Sequence, residues 1–150
     1  MSAVTITDHN TISGVLEIAE RPDVFVSCEY AVYFPEDRCK VHVLAHDITP
    51  AQHEQLIEAR QNIFEFTNYL NANTIAHACA HPLFGPNDRL NPAHIEQLVL
   101  LYKVWEWNGD VAPEMNQAMQ AIVHGLSEDK LCALSERHGI APQGVEPWRK

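Results

Sequence analysis

The sequence has 150 residues, 46% of them apolar, which suits one folded domain and argues against a disordered chain. Twenty acidic residues against ten basic ones give a net charge of -10, so binding to nucleic-acid phosphates or to an anionic membrane is disfavoured. No run approaches the roughly 20 apolar residues of a membrane span, and the four cysteines include no CxxC pair. We therefore expect a cytoplasmic protein with reduced cysteines and no export signal.

The first half of the chain predicts alternating strands and helices. A β-branched run at residues 3–7 predicts a buried strand, and residues 14–20 predict a short helix after it. Strand-forming residues then cover 24–34 and 40–46, with a proline-containing turn between them. Residues 50–71 carry apolar side chains at the spacing of one long amphipathic helix.

The second half of the chain continues this alternation. Small residues at 74–82 predict a strand that ends at a proline, and residues 92–102 predict a helix with proline in its first turn. A short strand at 104–109 is followed by two helices, at 113–125 and 127–138, each with a glycine at its end. Strands that alternate with helices indicate one α/β domain with a parallel sheet of about five strands.

Side chains that can bind metals lie in these strands or directly after them. In parallel sheets and barrels, ligands bind at the carboxyl ends of the strands, where side chains from several strands meet. Imidazole and carboxylate groups are ligands of zinc, manganese and iron, and a carboxylate inside an apolar strand needs a metal or a cationic partner. The candidates, in chain order, are Asp8, His9, Glu29, His42, His46, His77, His81, Glu106 and Asn108.

Four segments carry a more specific signal. They are Thr7-Asp8-His9-Asn10-Thr11 with Gly14, Cys28-Glu29-Tyr30 followed by Val41-His42-Val43-Leu44, Ala80-His81-Pro82-Leu83, and Trp105-Glu106-Trp107-Asn108-Gly109. In type and order these segments resemble the PHP family of metal-dependent phosphoesterases, which includes domains attached to some bacterial DNA polymerases. The resemblance covers most of the chain.

The resemblance implies a fold and a set of metal ligands. Members of the family form a distorted seven-stranded β/α barrel, so we expect a partial (β/α)7-type barrel with parallel strands and crossover helices. His9, Glu29, His42 and His81 match the family's ligands for zinc, manganese or iron, and Glu29 matches the carboxylate that bridges two ions. The resemblance also assigns Glu29 and His81 to catalysis. Asp8 is expected to orient a ligand from outside the coordination sphere.

Two parts of the family's metal site have no counterpart in the sequence. The family begins with a strand that ends in His-x-His and finishes with a strand that bears Asp-x-His, and residues 145–150 resemble sequence leading into the latter. Residues 1–150 therefore resemble a single PHP-like domain that is truncated at both ends. We expect it to bind at most one divalent ion, to hydrolyse weakly or not at all, and to form homo-oligomers through uncovered barrel edges.

The implied activity is hydrolysis of a small phosphate ester by metal-activated water. A second hypothesis is a non-catalytic metal-binding or interaction module, which would keep the ligands without turnover. A third is an amidohydrolase-like enzyme, which would use similar ligands to attack C–N bonds. Metal content and turnover, measured together, separate the first two hypotheses.

Other residues have simpler structural interpretations. His46 and His77 are more simply core histidines than ligands, and Cys79 is a small buried residue. The three tryptophans are expected in the core or at an interface. The remaining histidines fall in predicted helices and are expected on the surface: His53, His94, His124 and His138.

Overall fold

The computed structural model describes residues 2–143, which form one three-stranded sheet and six helices. The strands are β1 (Ser27–Tyr33), β2 (Lys40–His46) and β3 (Ala76–Ala80). The helices are α1 (Ser13–Leu16), α2 (Pro50–Ala59), α3 (Ile63–Ala72), α4 (Pro92–Leu101), α5 (Pro113–His124) and α6 (Glu128–His138). The predicted tail at 145–150, with Trp148, lies outside the described residues.

The sheet has the order β1-β2-β3, and both strand pairs are antiparallel. The expected parallel (β/α)7-type barrel is therefore wrong. The physical reason lies in the turn between Tyr33 and Lys40, where the Phe34 N–H donates to the Cys39 carbonyl at 2.9 Å and closes a hairpin. Parallel neighbours need a crossover of a dozen or more residues, which this short turn cannot provide.

Two extended segments lie beside the sheet and are joined to it by single bridges. The N-terminal segment runs parallel to the β1 side, with Val4 opposite Val24 and His9 opposite Glu29. On the other side, Trp105 lies parallel to Cys79 of β3. The strands predicted at 3–7 and 104–109 are thus reduced to isolated bridges in the described structure.

The helices after β3 agree with the sequence, but the predicted helix at 50–71 is two helices. Asn62 has an extended backbone and accepts a hydrogen bond from the Phe64 N–H through its side chain, so it caps α3 and separates that helix from α2. Thr49 caps α2 in a capping box with Gln52. None of the helices within residues 2–143 has the length and hydropathy that crossing a membrane requires.

The hydrophobic core lies between the helices and one face of the sheet. Alternate β1 residues, among them Tyr30, point into this core, where the Tyr30 ring meets Phe66 of α3 edge-on at 5.3 Å. His77 of β3 meets the Tyr102 ring, just after α4, at 5.8 Å. Since side chains alternate along a strand, Glu29 lies on the opposite face of the sheet.

Candidate metal centre

The sheet register brings Glu29 and His42 to the same face. Ala31 is the direct partner of His42, so Glu29 lies diagonally across from it, two residues along β1. On the other side of β2, His42 pairs with Ala80, and His81 follows directly after β3. The bridge between His9 and Glu29 places the N-terminal histidine beside the same carboxylate.

Three imidazole nitrogens converge on one oxygen, Glu29 Oε1. His42 Nδ1 lies 2.8 Å from this oxygen, His9 Nε2 lies 3.2 Å from it, and His81 Nε2 lies 3.3 Å from it. His42 Nδ1 and His81 Nε2 are also only 3.2 Å apart. The His9 side chain is 63% exposed, whereas the other three are mostly buried, so the centre opens to solvent on the His9 side.

This donor set fits a divalent metal better than a network held by protons alone. A carboxylate oxygen has about two lone-pair directions, so it cannot accept well-aligned hydrogen bonds from three nitrogens at once. Donors bound at 2.0–2.1 Å to a tetrahedral ion are roughly 3.3 Å apart. The three distances to Glu29 Oε1 and the distance between His42 and His81 are close to this value. His9, Glu29 and His42 have ligand atoms that all lie within 4.8 Å of one another, and His81 lies beside this group. His81 Nδ1, the ring nitrogen that does not contact Glu29, is buried and has no hydrogen-bond partner within residues 2–143.

The charges of the centre also suit a cation. Burial would raise the pKa of Glu29, but hydrogen bonds from His42 and His81 outweigh burial and hold the pKa well below its usual range. Burial would lower the pKa of His81, but its contact with Glu29 outweighs that effect and raises it. Glu29 is therefore ionised at neutral pH and offers a negative oxygen at the point where the nitrogens meet.

Comparison with known proteins adds no relative. No family model matches the sequence, and no curated protein matches it. The likeness to the PHP family therefore rests on the four sequence segments alone.

Asp8 contributes to the centre through its backbone. Its carbonyl accepts the Glu29 N–H at 3.1 Å, which fixes the N-terminal segment against β1. Its side chain is exposed and lies against Gly14, where an added Cβ would collide with the carboxylate. A side chain at position 14 would therefore require the exposed Asp8 carboxylate to move.

Asn10 is a positioning residue that the sequence analysis missed. Its side chain accepts the Ala31 N–H at 2.9 Å, and its own N–H donates to the Glu29 carbonyl at 2.9 Å. Its φ of 58° lies in the left-handed region, which asparagine tolerates better than most residues. The sequence signal that could have identified this residue is its type and position, an asparagine directly after a candidate ligand.

The other strand histidines are not part of this group. His46 Nδ1 is 3.1 Å from Ser27 Oγ, and the His77 Nδ1–H donates to the Ile75 carbonyl at 2.7 Å. Burial lowers the pKa of both histidines. Cys79 is fully buried on the core face, where burial raises its thiol pKa and disfavours a thiolate.

Most of the helix histidines are not the surface residues that the sequence predicted. His94 is only 5% exposed, and its Nε2 lies 2.9 Å from Asp37 Oδ2. His53 Nδ1 lies 2.6 Å from the buried Tyr30 hydroxyl, and His138 Nε2 lies 2.6 Å from Glu96. Of the four, His124 alone is exposed. Each of the other three found a polar partner that helix periodicity does not reveal.

A pocket of about 310 Å³ opens beside the centre. Three of the residues that line it are candidate ligands, and the other lining residues come from the loops that follow β3 and Trp105. Its lining residues are His9, Glu29, His81, Phe84, Asn108, Asp110 and Val111. The pocket therefore offers room for a small molecule in contact with the donor set.

Proposed function

We propose that this chain carries the metal centre of a PHP-type phosphoesterase, which binds zinc, manganese or iron and hydrolyses a small phosphate ester. The observation that carries the proposal is the convergence of His9, His42 and His81 on Glu29 Oε1 within 3.3 Å. These four residues are far apart in the sequence, and they are the ones that the family resemblance assigns to the metal. The buried Glu29 carboxylate needs partners, and all three imidazoles that it contacts come from segments that the resemblance assigns to the metal.

Each of the four residues has a defined part in this proposal. His9, His42 and His81 would bind as neutral imidazoles, and Glu29 would supply the negative charge that offsets the cation. When bound, the cation supplies Lewis-acid activation of water and neutralises charge on the phosphate. The sheet holds Glu29 and His42 rigidly, while the exposed His9 leaves the solvent side open to substrate.

The pocket beside the centre favours a phosphate monoester with an uncharged leaving group. Within residues 2–143, the residues that line it include no lysine or arginine, the side chains best suited to bind a second phosphate. Asp110 would repel one. Together with the net charge of -10, this composition supports a small substrate rather than a nucleic acid.

A non-catalytic metal-binding module is the second candidate. Within residues 2–143, the one group of three or more metal-binding side chains with ligand atoms in mutual reach is His9, Glu29 and His42. Three such ligands, with His81 beside them, suit one metal ion rather than the two ions that many phosphoesterases use. One ion could stabilise the fold without supporting rapid turnover.

Measuring metal content and turnover together tests both candidates. The wild-type chain, His81→Ala and the exposed-histidine control His124→Ala are dialysed against Mn²⁺ or Zn²⁺, and bound metal and cleavage of p-nitrophenyl phosphate are measured. We expect metal binding that His81→Ala impairs and His124→Ala preserves, with slow turnover. Turnover abolished by His81→Ala supports the phosphoesterase, and bound metal without turnover supports the module. An absence of metal binding by the wild-type chain would overturn both.

We further propose that the protein works in the reducing cytoplasm. Cys28, Cys39, Cys79 and Cys132 are all free thiols, and the first three are buried. Burial raises the pKa of Cys28 and of Cys39 to about 11, so these thiols are protonated and poorly reactive. A compartment that leaves cysteines reduced suits this arrangement.

A further inference from the structure

We propose that Glu106 is a positioning residue for His81, and that Asn116 of α5 holds Glu106 in place through Asn108. This inference rests on the proposed metal centre, since it concerns the aim of one of its ligands. Glu106 would act without touching the metal, by fixing the backbone from which the His81 imidazole projects.

The contacts of Glu106 support this role. Its Oε2 accepts the backbone N–H of His81 at 3.1 Å and the side-chain N–H of Asn108 at 3.0 Å. Two backbone bonds bring the segments together, since the Glu106 N–H donates to the Cys79 carbonyl and the Cys79 N–H donates to the Val104 carbonyl, both at 2.9 Å. The carboxylate is therefore held next to the residue that carries the ligand.

The backbone of His81 explains why such support is needed. Its φ of 29° lies in the left-handed region, which a residue with a Cβ rarely adopts, and β3 ends at the residue before it. Strained backbone of this kind persists where surrounding groups fix it. The hydrogen bond from the His81 N–H to the Glu106 side-chain oxygen selects this conformation and thereby sets the direction of the imidazole.

Asn116 extends the connection to α5. It is a buried polar residue, 5% exposed, and its side-chain amide makes two bonds to the backbone of Asn108. Asn116 Oδ1 accepts the Asn108 N–H at 3.2 Å, and Asn116 Nδ2 donates to the Asn108 carbonyl at 2.7 Å. Since the Asn108 side chain donates to Glu106, a continuous set of hydrogen bonds runs from α5 to His81.

Metal titration of the full chain tests the proposal. Calorimetric affinities for Mn²⁺ and Zn²⁺ are compared among wild type, Glu106→Ala, Glu106→Gln, Asn116→Ala and the exposed control Glu136→Gln. We expect Glu106→Ala to lower the affinity by about 10–100-fold, as losses outside the coordination sphere typically do. Glu106→Gln should recover most of it, because the amide oxygen can accept the same two N–H groups. Asn116→Ala should lower it in the same direction but less, and the control should leave it unchanged.

Equal losses for Glu106→Ala and Glu106→Gln would show that the charge of Glu106 acts rather than its position, and would overturn the inference. Wild-type affinity in Glu106→Ala would overturn it as well. If Glu106→Ala fails to fold, the metal affinities of the other two variants decide. An affinity near wild type in Glu106→Gln with a lower affinity in Asn116→Ala supports the inference, and the opposite order overturns it.

A metal-free measurement separates this inference from the proposed function. In nuclear magnetic resonance spectra without metal, Glu106→Ala should shift the amide and ring signals of His81 and leave those of His9 near their wild-type positions. A wild-type chain that binds no metal would overturn the proposed function. Unshifted His81 signals would overturn the positioning role.

Discussion

His42 Nδ1 lies 2.8 Å from Glu29 Oε1 across the β1–β2 ladder. His42 pairs directly with Ala31, and Glu29 lies diagonally across from His42, two residues along β1. The contact depends on the hairpin register. A slip of one residue would move Glu29 to the core face, because neighbouring side chains on a strand point to opposite faces. The turn that closes the hairpin is therefore part of what builds the centre.

Glu29→Gln should weaken metal binding strongly while keeping the size of the side chain. The amide lacks the negative charge that offsets the cation, so we expect affinity for Mn²⁺ and Zn²⁺ to fall by at least about 10–100-fold. Calorimetric titration measures the change, with the exposed Glu136→Gln as the matched control. Equal affinities in wild type and Glu29→Gln would contradict a role for Glu29 as a ligand.

Leu56→Ala should destabilise the fold far more than Leu16→Ala. Leu56 of α2 is fully buried in the core, whereas Leu16 is 43% exposed. Removal of a buried leucine side chain costs about 2–5 kcal/mol, and a surface change usually stays within about 0.5 kcal/mol. Urea unfolding of the two variants gives the comparison. Similar losses of free energy would mean that Leu56 is not buried in the core as described.

Asn62→Ala should lower the free energy of unfolding by about 1 kcal/mol, since it removes the side-chain cap of α3. Asn62→Ser keeps an oxygen that can accept the Phe64 N–H, so it should retain most of the stability. Chemical denaturation of both variants measures the effect. A serine variant as unstable as the alanine variant would argue against capping.

His77 should contribute a loss of stability as the pH falls from about 7.5 through the ordinary histidine pKa of about 6.5, whereas the raised pKa of His81 acts in the opposite direction. Burial, with repulsion from Lys103, lowers the pKa of His77 in the folded state. The unfolded chain therefore takes up the proton first on acidification, and unfolding becomes easier until the pH passes below the folded-state pKa. Urea unfolding across this range should show a shallower pH dependence in His77→Gln.

The exposed His124 provides the control for this pH effect. His124→Gln should keep the wild-type dependence on pH, because His124 is exposed and has none of the burial that acts on His77. A His77→Gln variant with the full wild-type slope would show that other groups are responsible.

The sequence predicted the residues of the centre better than the fold that carries them. His9, Glu29, His42 and His81 were chosen from their residue types and their motif order, and these properties do not depend on strand direction. Only His81 lies at the carboxyl end of a strand; Glu29 and His42 are each the third residue of theirs. The rule that ligands lie at strand ends thus selected residues that the structure brings together, but its reasoning holds for only one of them.

Strand direction was the main error, and the sequence contained the information to avoid it. Residues 35–38 were interpreted as a turn, and a turn that short between two strands makes a hairpin. The division of the helix at 50–71 was also visible, since Asn62 is followed three residues later by Glu65, a pattern typical of a helix start. The contacts of Glu106 and Asn116 were not predictable, because they depend on tertiary packing.

The four donors come from segments that meet only in the folded chain. A cation bound there would have no equivalent site in the unfolded state, so its binding energy would add to the stability of the fold. At a free-metal concentration of 100 times the dissociation constant, the gain would be about 2.7 kcal/mol. The melting temperature of this protein would then report the metal supply of its surroundings, and a chelator would act on it as a denaturant.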